Sequence, residues 1–280
     1  MKTVADIMTS APIVVEVPGK SSDAINVMVK NKLTGLPVVH AETGRLMGIV
    51  SRRDVFKKFE EEQLSLVMKK DIITISPDAD IRDAARIFVD RRIHRLPVVD
   101  DGSLVGIVTP TDLLDAVAAM KTKMTAEEAI RIKCVTAYEE EPLSYTIAAM
   151  RISDVAAMPV LDARGKLVGI LTDRDLFVDQ SPSEADLRRM GMDETMVNYA
   201  GYRNVIPLFY VATQEHIPEE HIVRDSMVED PLSVFKKASL SDVAKIMKEK
   251  DFGQIPVHGN RDELIGMIYD VDVLLALLGE

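Results

Sequence analysis

A hydroxyl residue followed three positions later by an aspartate recurs along this chain: Ser51 with Asp54, Thr109 with Asp112, and Thr172 with Asp175. A fourth copy, Tyr269 with Asp272, keeps the acid but replaces the short hydroxyl. Each pair follows one apolar run and opens another, so it sits where a strand gives way to a helix. Two kinds of chemistry suit that position. The side chains can form a capping box, in which the hydroxyl accepts from an orphan helix amide and the acid accepts from the amide of the cap residue. Alternatively, the unpaired amides and partial positive charge of a helix start hold a phosphate while the carboxylate accepts from ribose hydroxyls. Spacing alone leaves both readings open, because duplication would copy a cap as readily as a site.

The elements that must position these pairs repeat with them. The phrase recurs as Gly48-Ile49-Val50-Ser51-Arg52-Arg53-Asp54, Gly106-Ile107-Val108-Thr109-Pro110-Thr111-Asp112, Gly169-Ile170-Leu171-Thr172-Asp173-Arg174-Asp175 and Gly266-Met267-Ile268-Tyr269-Asp270-Val271-Asp272. Upstream of each lies a Pro-Val run: Leu36-Pro37-Val38-Val39, Leu96-Pro97-Val98-Val99, Met158-Pro159-Val160-Leu161 and Ile255-Pro256-Val257-His258. Turn signals such as Glu42-Thr43-Gly44, Asp100-Asp101-Gly102 and Ala163-Arg164-Gly165 separate the two runs, which predicts β-hairpins. Farther upstream come a helical pattern, such as Ile81, Ala84, Ala85, Phe88 and Val89, and before it a strand, as in Ile13-Val14-Val15 and Ile72-Ile73-Thr74-Ile75. The unit is strand, helix, strand, strand, helix, and the fold class is α+β. A unit of about 60 residues is too small to bury its apolar faces comfortably, so neighbours are expected to pair. Spacing predicts repeats over 1–60, 61–122, 123–180 and 222–280, with a structured connector over 181–221.

The 280 residues are 47% hydrophobic and 28% charged, enough for one large core or several small ones. A net charge of -11 argues against a general grip on DNA, RNA or anionic lipid, which depends on clustered Lys and Arg. No run approaches the roughly 20 apolar residues of a membrane-spanning helix, and Met1 to Ser10 lack the apolar segment of a signal peptide. A cytoplasmic location is therefore expected. The single cysteine, Cys134, lies in an apolar run and reads as a small buried hydrophobe. Met28, Met150 and Met247 recur at comparable helix positions and read as core filling. His216 and His221 flank Glu219-Glu220, too sparse a cluster to define a metal site, and no Walker loop or nucleophile elbow is present.

The two phrases, recurring in order, resemble the cystathionine-β-synthase (CBS) domain family over nearly the whole chain. That resemblance implies repeats joined as two Bateman modules, arranged as a disc, and four copies in one chain are also similar to the gamma subunit of AMP-activated protein kinase. It further implies adenosyl ligands (AMP, ADP, ATP or S-adenosylmethionine) in clefts between paired repeats. By the same resemblance Asp54, Asp112, Asp175 and Asp272 would hold ribose, Ser51, Thr109 and Thr172 would contact phosphate or ribose, and Ile13, Ile73 and Val135 would lie near the base. His94-Arg95, before the second Pro-Val run, would meet phosphate, while the equivalent Thr34-Gly35, Ala156-Ala157 and Gly253-Gln254 lack a cation. Arg53 and Arg174 could add phosphate contacts. Tyr269 would crowd a phosphate, which makes the fourth site the doubtful one. The expectation is a non-enzymatic, adenine-nucleotide-binding regulator with no catalytic cofactor, a protein partner to regulate, and discs that could dimerise. The rivals are a constitutive scaffold whose phrases only cap helices, a ligand-controlled transcription regulator or cryptic enzyme using the insert, and a sensor of S-adenosylmethionine.

Overall fold

The structure, a computed structural model, describes residues 2–31, 33–58, 61–172 and 220–279. Most of the expected connector, with Arg174 and Asp175, lies outside the described residues. Each repeat builds a small mixed sheet whose central strand carries the Pro-Val run. In repeat 1, Gly35–His40 pairs in parallel with Val15–Val17 and antiparallel with Leu46–Ser51. The same register recurs: Val38 faces Gly48, Val98 faces Gly106, Val160 faces Gly169 and Val257 faces Gly266. The hairpins turn through left-handed residues, with Gly44 at φ 64° and Gly102 at φ 80°.

Proline survives in a central strand because of how the pairing is staggered. In repeat 2 the Pro97 carbonyl accepts from the Ile75 amide at 3.1 Å, and the Val99 amide donates to the Ile75 carbonyl at 2.9 Å. The proline's missing N–H therefore lies on the side of the first strand, just before pairing with it begins, and costs the hairpin no hydrogen bond. The strand expected over Ile72–Ile75 shrinks to a single parallel bridge between Ile75 and Val98. The helix after it is as expected over Ile81–Arg91. Asp80 caps it by accepting from the Arg82 amide at 2.8 Å, Ile81, Ala84, Ala85 and Phe88 are buried, and Arg92 ends it in the left-handed region at φ 49°.

Neighbouring repeats exchange the arms that precede them. Thr9 and Ser10, ahead of repeat 1, pair with Ile107 and Gly106 of repeat 2, and the amides of Val4 and Ala5 donate to Ala79 and Pro77. In return Leu64 donates to the Gly19 carbonyl, and Lys69 exchanges two hydrogen bonds with Ile49 of repeat 1. The second pair repeats the arrangement: Val228 and Glu229 pair with Ile170 and Gly169, while Ala126 and Glu127 donate to Ala238 and Lys236. A residue of each arm lies on the glycine that opens the phrase. A Cβ on Gly106 would stand 2.5 Å from Met8 Sδ, one on Gly48 2.7 Å from Met68 Sδ, and one on Gly266 3.3 Å from Ile130, with Met227 closest to Gly169.

The two pairs meet through helices. The helices Ile81–Arg91 and Pro110–Ala118 of repeat 2 share one core with Leu240–Lys250, Asp270–Val273 and Leu275–Leu278 of repeat 4. Phe88, Leu113, Leu114, Val117, Val243 and Met247 are buried there, and Lys248 pairs with Asp115 across the seam. Repeats 1 and 3 have cores of their own, around Ile25, Met28 and Leu36 in one and Leu143, Met150 and Met158 in the other. They are joined by an ion pair, Arg53 to Asp154 at 3.1 Å. The three methionines expected as core filling are buried. Cys134 is only half-buried rather than inside the core, and burial still pushes its thiol up, away from the thiolate. No helix among the described residues is long and apolar enough to cross a membrane.

Candidate nucleotide site

The predicted hydroxyl-acid pairs lie at helix starts, and in each described one the acid accepts from the amide of the cap residue, while only Ser51 also accepts from the helix. The Ser51 amide donates to Asp54 Oδ2 at 2.9 Å, and Ser51 Oγ accepts from the Asp54 amide at 3.2 Å. The Thr109 amide and hydroxyl donate to Asp112 Oδ2 at 2.7 and 2.8 Å. The Tyr269 amide donates to Asp272 Oδ2 at 3.0 Å, so even tyrosine keeps the backbone half of the box. In each case one carboxylate oxygen is consumed by the cap, and the other decides what else the acid can do. Asp112 Oδ1 has no partner among the described residues, and Asp54 Oδ1 is approached by the exposed ammonium of Lys69 at 3.4 Å. Asp272 Oδ1 is filled by Arg92 Nη1 at 2.7 Å. The capping and binding readings are thus compatible at Asp54 and Asp112.

His94 and Arg95, read from sequence as one cationic pair, point to different repeats. Arg95 crosses to repeat 1, where its guanidinium hydrogen-bonds Thr34 Oγ1 and packs on Gly35, with Arg52 and Asp54 near. Burial, and then Arg52, pull its pKa down to about 10 against the opposing pull of Asp54, so it stays cationic at neutral pH. Repeat 1 lacks a cation of its own at Gly35, and the small residue there admits the one from repeat 2. His94 Nδ1 instead lies 3.6 Å from Asp270 Oδ1 of repeat 4. Arg53, the other proposed phosphate contact in repeat 1, is committed to Asp154 of repeat 3, binding both its carboxylate and, at 3.4 Å, its carbonyl.

The proposed base neighbours are apolar side chains left in contact with water. Ile13 is 44% exposed and Val135 37%, while Ile73 lines an open cleft of about 340 Å³ with Asp83, Arg86, Ile87, Asp90 and Arg91. That cleft does not include Ser51, Asp54 or Arg95. Thr172 ends its strand opposite Ala157, as Ser51 lies opposite Gly35, with Arg174 and Asp175 beyond the described residues. Sequence reasoning gave no role to Lys69, Asp270 or Arg92. The signal for Arg92 was present as one member of an arginine run, but its partner lies 180 residues away. Among the described residues no group of three or more His, Cys, Asp and Glu could hold a metal ion.

The CBS domain family matches residues 4–61, 63–119, 124–178 and 223–279. Protein MJ1225 of Methanocaldococcus jannaschii is 28% identical over 192 residues, which cover 62% of this chain and 68% of MJ1225. The crystal structure of MJ1225, proposed as an archaeal homolog of g-AMPK, has the same fold, with a TM-score of 0.72 at 22% identity over 99% of this chain and all of the other. A conserved protein from Pyrococcus horikoshii, 25% identical, covers 99% of this chain and all of its own with a TM-score of 0.67. A crystal structure of CBSX2 in complex with AMP is 31% identical over 41% of this chain and 96% of its own, at a TM-score of 0.38. Two longer relatives are enzymes, and the chain spans 14% and 21% of their lengths.

Proposed function

The chain belongs to the CBS domain family, and on that footing we propose that it is a non-enzymatic sensor of adenine nucleotides whose leading site lies where repeats 1 and 2 join. The observation that carries this reading is Arg95. A guanidinium is drawn from repeat 2 into repeat 1, beside the Ser51 and Asp54 helix start, in a chain whose overall charge would repel an anion. Arginine supplies a planar fork for phosphate, and Asp54 keeps an outward oxygen within reach of ribose hydroxyls once Lys69 swings aside. Ile73, also proposed as an apolar neighbour of a base, lines a cleft apart from Ser51, Asp54 and Arg95 and serves a different site. Thr109 with Asp112 forms the second site, and Thr172 with Arg174 and Asp175 the third, with Ile13 and Val135 as base neighbours. The ligand is AMP, ADP or ATP. Occupancy is reported to a protein partner in the cytoplasm, and the pairs of repeats form a disc.

Isothermal titration of the whole chain with AMP, ATP, adenosine and S-adenosylmethionine tests this, together with mass identification of whatever acid releases from the freshly purified protein. Binding of AMP or ATP more tightly than adenosine is expected. A second reading, a scaffold in which the phrases only cap helices, is favoured by the bond that each described acid accepts from its cap amide. It predicts no heat and no thermal shift with any of the four compounds.

A further inference from the structure

We infer that repeat 4 does not use its helix start as a ligand site and instead clasps repeat 2 through it, Asp272 holding Arg92 and Asp270 facing His94. Both oxygens of Asp272 are spoken for, one by the Tyr269 amide and the other by Arg92. The acid is 1% exposed, against the part-buried Asp54 and Asp112 with their outward oxygens. Arg92 also lies 5.7 Å from the centroid of the Tyr269 ring, so the residue that breaks the hydroxyl pattern is the face on which the guanidinium rests. Asp270, 7% exposed, donates its backbone amide to the Gly253 carbonyl and turns its carboxylate toward His94 and the Val271 amide.

The same contact occurs once more with its charges reversed. Arg92 is the left-handed residue that ends the first helix of repeat 2, and Asp154 is its counterpart in repeat 3, at φ 49° and 54°. Arg92 reaches a carboxylate at the helix start of repeat 4, while Asp154 receives Arg53 from the helix start of repeat 1. Corner residue to facing helix start is therefore a joint that the fold uses twice. The run Arg92 to Arg95 then ties repeat 2 to two others, since Arg92 and His94 grip repeat 4 while Arg95 enters repeat 1. A ligand phosphate that drew on Arg95 would pull on the same short segment that holds repeat 4. This coupling rests on the nucleotide reading above, whereas the clasp itself does not.

The test is a double-mutant cycle on thermal unfolding of the ligand-free chain. Arg92→Ala and Asp272→Ala are each expected to lower Tm by roughly 5 to 10 °C, because removing one partner strands the other charge. The double variant should fall little further, and shifts that simply add would overturn the clasp. Where a single variant fails to fold, Arg92→Lys and Asp272→Asn take their places in the cycle: shifts that fail to add support the clasp, and shifts that simply add overturn it. AMP titration of Arg92→Ala reads the closed site. An unchanged or larger number of AMP molecules bound per chain agrees with the clasp, and loss of one shows that Arg92 serves a ligand and overturns it. A parent chain that binds no AMP would sink the nucleotide reading while the unfolding cycle still decides the clasp.

Discussion

Gly35 leaves open the space that the Arg95 guanidinium fills: a Cβ on Gly35 would stand 2.7 Å from the guanidinium carbon of Arg95 and 2.9 Å from its Nε. The glycine in one repeat and the arginine in the next are thus two halves of one feature. Arg95→Ala is expected to weaken AMP binding by roughly ten- to a hundredfold, the range for a charge-assisted hydrogen bond, and adenosine binding by much less. Gly35→Val, which expels the guanidinium, should narrow the gap between AMP and adenosine in the same way. His94→Ala should leave that gap nearly intact, because the imidazole faces Asp270. Calorimetry with both ligands decides, and equal losses for AMP and adenosine in Arg95→Ala would remove the phosphate role.

Asp112 has two duties that can be separated. Its Oδ2 caps the helix Pro110–Ala118 and its Oδ1 is free of protein partners among the described residues. Asp112→Ala should cost about 1 kcal/mol of stability from the lost cap, visible in a denaturant melt, and should also weaken nucleotide binding. A loss of stability with unchanged affinity at every site would leave only the cap.

The first pair of repeats, residues 1–120, carries both of its exchanged arms but not the helices of repeat 4. Cut there, the chain would bare Leu113, Leu114 and Val117, all buried in the full protein. The fragment is expected to fold and then to self-associate, repeat 2 against repeat 2, as an exposed apolar helix face drives. Light scattering after gel filtration measures this, and a folded monomer at micromolar concentration would contradict it.

Gly106→Ala places a methyl group where Met8 lies, and an arm held by a short ladder has few ways to yield. A loss of about 1 to 3 kcal/mol is expected, with partial recovery when Met8→Ala is added, because the second change removes the obstructing thioether. Chemical denaturation of the two single variants and the double variant checks the recovery.

Much of the architecture was legible because it is local. Glycine turns, alternating strands and the apolar stripe from Ile81 to Phe88 need only their neighbours to be recognised. The paired acids at helix starts were visible too, but their meaning was not, since the cap and a ligand ask for the same carboxylate, and only the fate of the second oxygen separates Asp112 from Asp272. What escaped the sequence acts at long range. Met8, Met68 and Met227 gave no sign that each lies on a glycine of the neighbouring repeat. The division of labour between His94 and Arg95 depends on which repeats flank them, as does the joining of repeat 2 to repeat 4. The strand expected at Ile72–Ile75 failed because apolar residues there predict β structure whether they line a sheet or a cleft.

The exchanged arms also order events during synthesis. Thr9 leaves the ribosome well before its partner Ile107, which lies on the second strand of the next repeat's hairpin. At about 5 to 20 residues per second, the opening segment waits roughly 5 to 20 seconds with its backbone unpaired. Repeat 1 likewise waits, for a shorter time, for the Leu64 to Lys69 arm that packs on its own sheet. Neither repeat can therefore mature alone on the nascent chain. The pair is the smallest unit that emerges with its exchanged arms in place, and a chaperone that shields Lys2 to Ser10 would be guarding a strand whose sheet does not yet exist.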